Sequence, residues 1–131
     1  MADQNLQVEL VAADRLLWSG EATMVIARTT EGDLGVLPGH APTLSLLVDG
    51  VVEVRTVEGD IWVAAVDAGF LSIANDRVSV LSEFAEMSHD IDLETARQDL
   101  ERARAAGEDD DEALAHVRRA EARIRAVERA G

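Results

Sequence analysis

His40, His89 and His116 are the side chains of this sequence best suited to proton transfer or metal ligation, and they are scattered along it. No two of them have metal-ligand spacing, and no serine stands in a nucleophile-elbow pattern. There is no cysteine, which excludes thiolate catalysis, thiolate metal sites and disulfides. Gly32-Asp33-Leu34-Gly35 has the outline of a phosphate loop. Such a loop needs a following Gly-Lys-Ser/Thr, however, and here Glu31 and Asp33 would repel the anion. The chain therefore reads as non-catalytic, with no catalytic residue, metal or cofactor to assign.

Backbone geometry and charge are the more telling features. Residues 32–42, GDLGVLPGHAP, hold three glycines and both prolines of the chain around His40. Gly32, Gly35 and Gly39 permit positive φ or close backbone approach. Pro38-Gly39 suits a type II turn, and Pro42 holds Ala41 extended. A loop fixed in one shape is either an ordinary sandwich corner or a docking element. The second concentration is of cations: residues 113–131 carry Arg118, Arg119, Arg123, Arg125 and Arg129 against two glutamates, a net of +3, whereas residues 90–112 carry −7. That basic end either balances the acids of its neighbour or reaches an acidic partner. The net charge of −14 argues against nucleic acid and against anionic lipid as partners.

Two kinds of element must position these residues. Up to about residue 88 the hydrophobic pattern has period two. LQVELV, ATMVIA, VVEVRT, IWVAAV, FLSIA and RVSVL are strands separated by turn signals, with Asn75-Asp76 suited to a tight hairpin and VEGD to a four-residue turn. In VVEVRT, Val52, Val54 and Thr56 share a face. This is the pattern of a β-sandwich or barrel. Beyond SHDID the period becomes helical. Asp92 is a natural N-cap, and Leu93, Ala96, Leu100 and Ala103 form one stripe. GEDDD ends this helix and offers Asp111 as the next cap, and the second helix shows Leu114, Val117, Ala120, Ile124 and Val127. Two narrow, alanine-rich stripes joined by a short loop make an antiparallel hairpin that must rest on another surface. At 131 residues and 47% hydrophobic, with only 3% aromatic, the chain holds one domain plus this appendage, and its core is aliphatic. No apolar run nears the roughly 20 residues of a membrane span.

LWSGEA (17–22), EGDLGVLPGHAPTLSLLVDG (31–50), AGFLSIANDRVSVL (68–81) and IDLETAR, in this order, resemble the epsilon subunit of F-type ATP synthase over essentially the whole chain. The resemblance implies a ten-stranded N-terminal β-sandwich (1–88) that docks the gamma subunit and the c-ring, then a regulatory hairpin of two helices (89–131). It implies a non-catalytic rotor subunit at the cytoplasmic face of a bacterial membrane, peripheral and not inserted. It places Glu31, Gly32, Asp33 and Gly35 against the c-ring and His40, Pro42 and Ser45 against gamma. Arg118, Arg119, Arg123, Arg125 and Arg129 match a basic inhibitory helix that meets the beta and alpha subunits when extended. Members that bind ATP at the hairpin carry Ile-Asp-x-x-Arg-Ala. Here Ile91, Asp92 and Ala96 match, while Thr95 stands at the Arg position and Arg97 lies roughly 200° around the helix from it. The sequence pattern alone leaves two other readings open: a free-standing nucleotide-sensing sandwich with a helical lid, and an enzyme with a site assembled from dispersed residues.

Overall fold

Alternating Val, Leu, Ile and Ala residues build eight continuous strands in the computed structural model, which describes residues 5–107 and 111–130. They are β1 (Leu6–Ala12), β2 (Arg15–Thr29), β3 (Gly32–Val36), β4 (Thr43–Thr56), β5 (Ile61–Val66), β6 (Gly69–Ala74), β7 (Arg77–Ser82) and β8 (Ala85–Met87). A 3-10 turn, Ser88–Asp90, leads to helices α1 (Leu93–Ala105) and α2 (Asp111–Ala130).

The expectation of ten strands meets eight because β2 and β4 each run through both layers. The first half of β2 pairs with β1, from Leu6↔Ala22 to Ala12↔Arg15, and its second half with β3 and β4 at Val25↔Val36 and Val25↔Val54. The first half of β4 pairs with β6, from Thr43↔Ile73 to Leu47↔Gly69, and its second half with β5, from Gly50↔Val66 to Arg55↔Ile61. Register shifts at Ala22/Met24 and Ala27/Thr29 accompany the bend of β2, as bulges do. One layer is then early β2, β1, β7, β6 and early β4. The other is β3, late β2, late β4, β5 and β8. Between them Leu6, Val8, Leu10, Val25, Val52, Val54, Leu71, Ile73, Val78 and Val80 pack as one aliphatic core.

The turns follow their chemistry. Asn75 and Asp76 adopt φ of 53° and 61°, the left-handed pair of a two-residue hairpin loop. The Gly59 N–H donates to Thr56 O at 3.1 Å in the VEGD turn. Residues 32–36, expected as part of a loop, are instead the edge strand β3. Pairing with Val25–Thr29 satisfies one side of its backbone and buries Val36, which outweighs the low strand preference of glycine.

The hairpin rests on the outer face of late β4 and β5. That face is the reason Val51 and Glu53, as well as Val52, Val54 and Thr56, are buried. Asp92 caps α1 by accepting the Thr95 N–H at 3.2 Å, and of the expected stripe Ala96 and Ala103 are fully buried. The second stripe needs correction. Ala113, Ala120, Ala122 and Ala126 are the buried residues of α2, while Leu114, Val117, Ile124 and Val127 are only half-buried. α2 meets two surfaces, α1 on one side and the sheet on the other, and a single stripe cannot describe a helix with two contact faces. Asp111, expected as its cap, is the first residue of the helix, and Glu108, Asp109 and Asp110 lie outside the described residues.

Candidate docking and regulatory surfaces

The β2–β3 turn is fixed by one threonine. Thr29 Oγ1 donates to Gly32 O at 2.8 Å and accepts the Glu31 N–H at 3.1 Å, and the Thr30 N–H donates to Leu46 O at 3.0 Å. Gly32 takes φ of 112°. Glu31 and Asp33 are thus exposed carboxylates on a turn tied to β4. Asp33 Oδ1 lies 3.4 Å from Arg28 Nε, an exposed pair worth about 0–1 kcal/mol. Gly35 faces Met24, whose Cε would stand 3.2 Å from an added Cβ.

At the opposite end of β3 the chain makes a second rigid feature. The His40 N–H donates to Leu37 O at 3.1 Å, and Gly39, with φ of 87°, holds the position that the expected type II turn requires. The Gly39 N–H donates to Asp76 Oδ1 at 2.7 Å, which fastens the loop to the β6–β7 turn. His40 Nδ1 sits 2.8 Å from Ala41 O, which also accepts from Thr43 Oγ1 at 2.9 Å. The segment read as one loop is therefore two features. Glu31, Gly32 and Asp33 gather at the tip, Gly35 lies along β3 opposite Ile26, and His40 and Pro42 stand beyond its far end. Ser45 lies opposite buried Leu71 and has the inward parity of Leu47, whereas its neighbours Leu44 and Leu46 point outward.

Those neighbours belong to a surface that the sequence pattern did not single out. Pairings Leu46↔Phe70, Phe70↔Leu81, Leu81↔Val11 and Val11↔Leu16 line up one apolar residue from each of five strands on the outer face of the first layer. Leu46, Phe70, Leu81 and Leu16 are 52%, 48%, 47% and 58% exposed, so the row is open to solvent. The hairpin covers the opposite layer. Alternation places Leu46 and Leu47 on different faces without telling which face is inside, because both are apolar. The only signal available was that excess of apolar residues on both faces.

The arginines of α2 turn toward the sandwich. Arg118 Nε is 3.2 Å from Asp49 Oδ2, Arg119 Nη2 is 2.9 Å from Asp67 Oδ2, Arg123 Nε is 2.9 Å from Glu86 Oε1, and Arg129 Nη1 is 3.2 Å from Glu53 Oε1. The Arg119 guanidinium also lies 4.3 Å over the Phe84 ring. Pairs between the helices are longer: Arg104–Glu121 at 3.4 Å and Arg123–Asp99 at 3.6 Å. Arg125 is exposed, near Arg28, Asp33 and Arg129. Asp49, Glu53, Asp67 and Glu86 were not expected as functional residues, since isolated carboxylates in strands and turns give no pattern.

Glu53 is the most buried of these carboxylates. Burial pushes its pKa up, but hydrogen bonds from Arg55, at 2.8 Å, and Arg129 outweigh that and leave it below the ordinary value. Asp49 moves the other way. Burial, then a hydrogen bond and charge repulsion from Asp67, raise it, and Arg118 only partly offsets this.

The Ile91-Asp92-x-x-Thr95-Ala96 segment has structural work in this chain. Ile91 packs against Val51, Val63, Ala65, Ala122 and Ala126, Asp92 caps the helix, and Ala96 is buried. Thr95 is exposed. A cleft of about 640 Å³ between the helices holds Arg102, His116, Arg119 and Arg123 beside Asp99 and Glu112. No helix among the described residues is long and apolar enough to cross a membrane.

Comparison with known proteins adds names to this geometry. The β-sandwich domain of the ATP synthase delta/epsilon chain matches residues 5–88. The ATP synthase epsilon chain of Streptomyces avermitilis is 53% identical over 122 residues, covering 93% of this chain and 94% of the relative. That of Rhodococcus jostii is 52% identical over 126 residues, covering 95% and 98%. Among solved structures, a chain of the Euglena gracilis mitochondrial ATP synthase (OSCP/F1/c-ring) superposes with a TM-score of 0.74 at 28% identity, over 95% of this chain and 78% of that one. A chain from the central stalk and c-ring of the Tetrahymena thermophila mitochondrial enzyme shares the fold, with a TM-score of 0.62 at 16% identity.

Proposed function

The chain belongs to the epsilon-chain family of F-type ATP synthase, non-catalytic subunits of the central-stalk rotor, and on that premise we propose how its surfaces divide the work. The 1–88 sandwich couples c-ring rotation to the gamma subunit. The 89–131 hairpin restrains ATP hydrolysis. Glu31, Gly32 and Asp33 form the tip that meets the c-ring, and Gly35 stands behind them on β3 along the same surface. Gamma docks on the open apolar row, continued by Leu44 toward Pro42 and His40, with Ser45 supporting the strand from inside. The alpha and beta subunits meet α2 when the hairpin extends, and the subunit sits peripherally at the cytoplasmic face of the membrane. ATP binding at the hairpin is not part of this reading. Thr95 offers no guanidinium to phosphate at the position where ATP-binding members carry Arg.

The observation that carries the reading is the asymmetry of the sandwich: the hairpin covers one outer face and an apolar row lies open on the other. A row of this kind marks a protein interface. Leu46 and Phe70 are 52% and 48% exposed, so burying the remainder against gamma is worth about 1 kcal/mol for each side chain. A Leu46→Asp/Phe70→Asp variant should therefore bind purified gamma at least about tenfold more weakly. Its thermal unfolding should stay unchanged, because both positions are already exposed. Wild-type affinity in that variant would place gamma elsewhere on the molecule and overturn the assignment.

A further inference from the structure

We propose that Arg118, Arg119, Arg123 and Arg129 form a latch with Asp49, Asp67, Glu86 and Glu53 that holds the hairpin shut, and that an acidic partner surface opens it by competing for the same guanidiniums. The proposal rests on the reading above that the hairpin can extend. It adds what holds the closed state and what releases it.

The apolar contact under α2 is thin. Two alanines, Ala122 and Ala126, meet Val51, Val63 and Ala65, with Ile91 at the side. Alanine methyl groups bury little area but let the helix come close, so the arginine side chains reach carboxylates of the sandwich beneath it. The four pairs run from Arg118 to Arg129, roughly 17 Å along the helix axis. Their acids come from β4, the β5–β6 connection and β8, so the latch spans the sheet and does not pin a single point.

The pairs are also arranged to be broken. A buried ion pair is costly to break when one partner is left charged and alone. Here the buried carboxylate, Glu53, keeps Arg55 Nε at 2.8 Å after Arg129 leaves. Asp49 and Asp67 lie beside the helix, so its departure returns them to water, where each is hydrated. Glu86 and Arg123 are already partly exposed. Opening therefore strands no charge inside the sandwich, and the arginines released from it are the group that an acidic surface would attract. One set of cations serves both states, so what decides between them is which set of carboxylates competes better.

The test uses the full chain, which has no cysteine, with spin labels on Val57→Cys in the β4–β5 turn and Glu128→Cys on α2. The otherwise unchanged protein should give one short distance. The triple variant Asp49→Asn/Asp67→Asn/Glu86→Gln, which leaves Glu53 in place, should raise the long-distance population at least about tenfold with helix content retained. Arg119→Asp should open the hairpin, and adding Asp67→Arg should close it again. Polyglutamate added to the wild-type chain should open it in proportion to dose. A short distance that persists in the triple variant, or an Arg119→Asp hairpin that Asp67→Arg does not close, overturns the latch. If the triple variant fails to fold, the charge-reversal pair decides. No readout involves the ATP synthase complex, so a failed latch leaves the rotor assignment standing.

Discussion

Glu53 shows how much a single side chain owes to its neighbours. It lies in a strand that reads as half-buried, and α2 buries its other side. A carboxyl held below its unfolded pKa adds stability above that value and loses it as pH falls through the folded one. The Glu53 share should thus be complete above its ordinary value of 4.5 and disappear in more acid solution. Asp49 has the opposite sign, since a raised pKa favours the protonated folded form at low pH. Glu53→Gln should lower stability at neutral pH by about 1–3 kcal/mol and flatten the loss below pH 4.5, measured by thermal unfolding across pH. A parallel acid limb in the variant would remove Glu53 as its source. Glu31 and Asp33 are the contrary case, exposed carboxylates on a fixed turn. Their double alanine variant should fold with a change below about 0.5 kcal/mol and still weaken ATP-driven proton pumping in reconstituted vesicles. Full pumping would detach the tip from the ring. The turn that carries Glu31 was legible in the sequence because turn chemistry is local, whereas the place of both acids came from the family resemblance. Asp49, Glu53, Asp67 and Glu86 were not legible, because their partners lie tens of residues away on α2.

The elements were legible where their signals were local. Asn75-Asp76 gave its hairpin, VEGD its turn and Asp92 its helix cap. The period change near residue 88 coincides with the end of β8 at Met87. What escaped the pattern is tertiary. β2 and β4 bend into two layers, β3 forms because an edge was available to pair with, and α2 has two contact faces. The same contrast sets relative stability. The sandwich core is a continuous Val/Leu/Ile cluster, whereas the hairpin rests on alanines and partly exposed ion pairs. Amide exchange should therefore be faster in α1 and α2 than in β1, β4 and β6, with the helices opening as a unit below the global unfolding free energy. Equal protection in both parts would mean the latch and the alanine contact hold as firmly as the core.

On the scale of the whole molecule the surfaces are arranged around the sandwich: a covered face, an apolar face, and two rigid ends separated by β3. A net charge of −14, with Arg118, Arg119, Arg123 and Arg129 of α2 each paired to a carboxylate of the sandwich, makes the closed molecule present mainly acid. If the hairpin extends as proposed, those cations leave their carboxylates and become free to pair with an acidic partner, so closure competes with that contact. Truncation after Gly107 removes α2 altogether. It should leave assembly through the sandwich intact and raise ATP hydrolysis by the complex. Replacing Arg118, Arg119, Arg123, Arg125 and Arg129 by Gln should give a smaller rise than truncation, because it weakens the latch and the attraction to partner carboxylates together. Neutralising only Asp49, Asp67 and Glu86 loosens one side of that competition, so hydrolysis should fall below that of the unmodified complex. Screening should shrink these differences between about 0.05 and 0.5 M salt, most for the exposed pairs. Steady-state hydrolysis by the reconstituted complexes measures all three. If truncation leaves the rate unchanged, the hairpin is a brace on the sandwich and exerts no inhibition. If truncation raises the rate but neutralising the carboxylates does not lower it, the arm inhibits without having to escape its own acids.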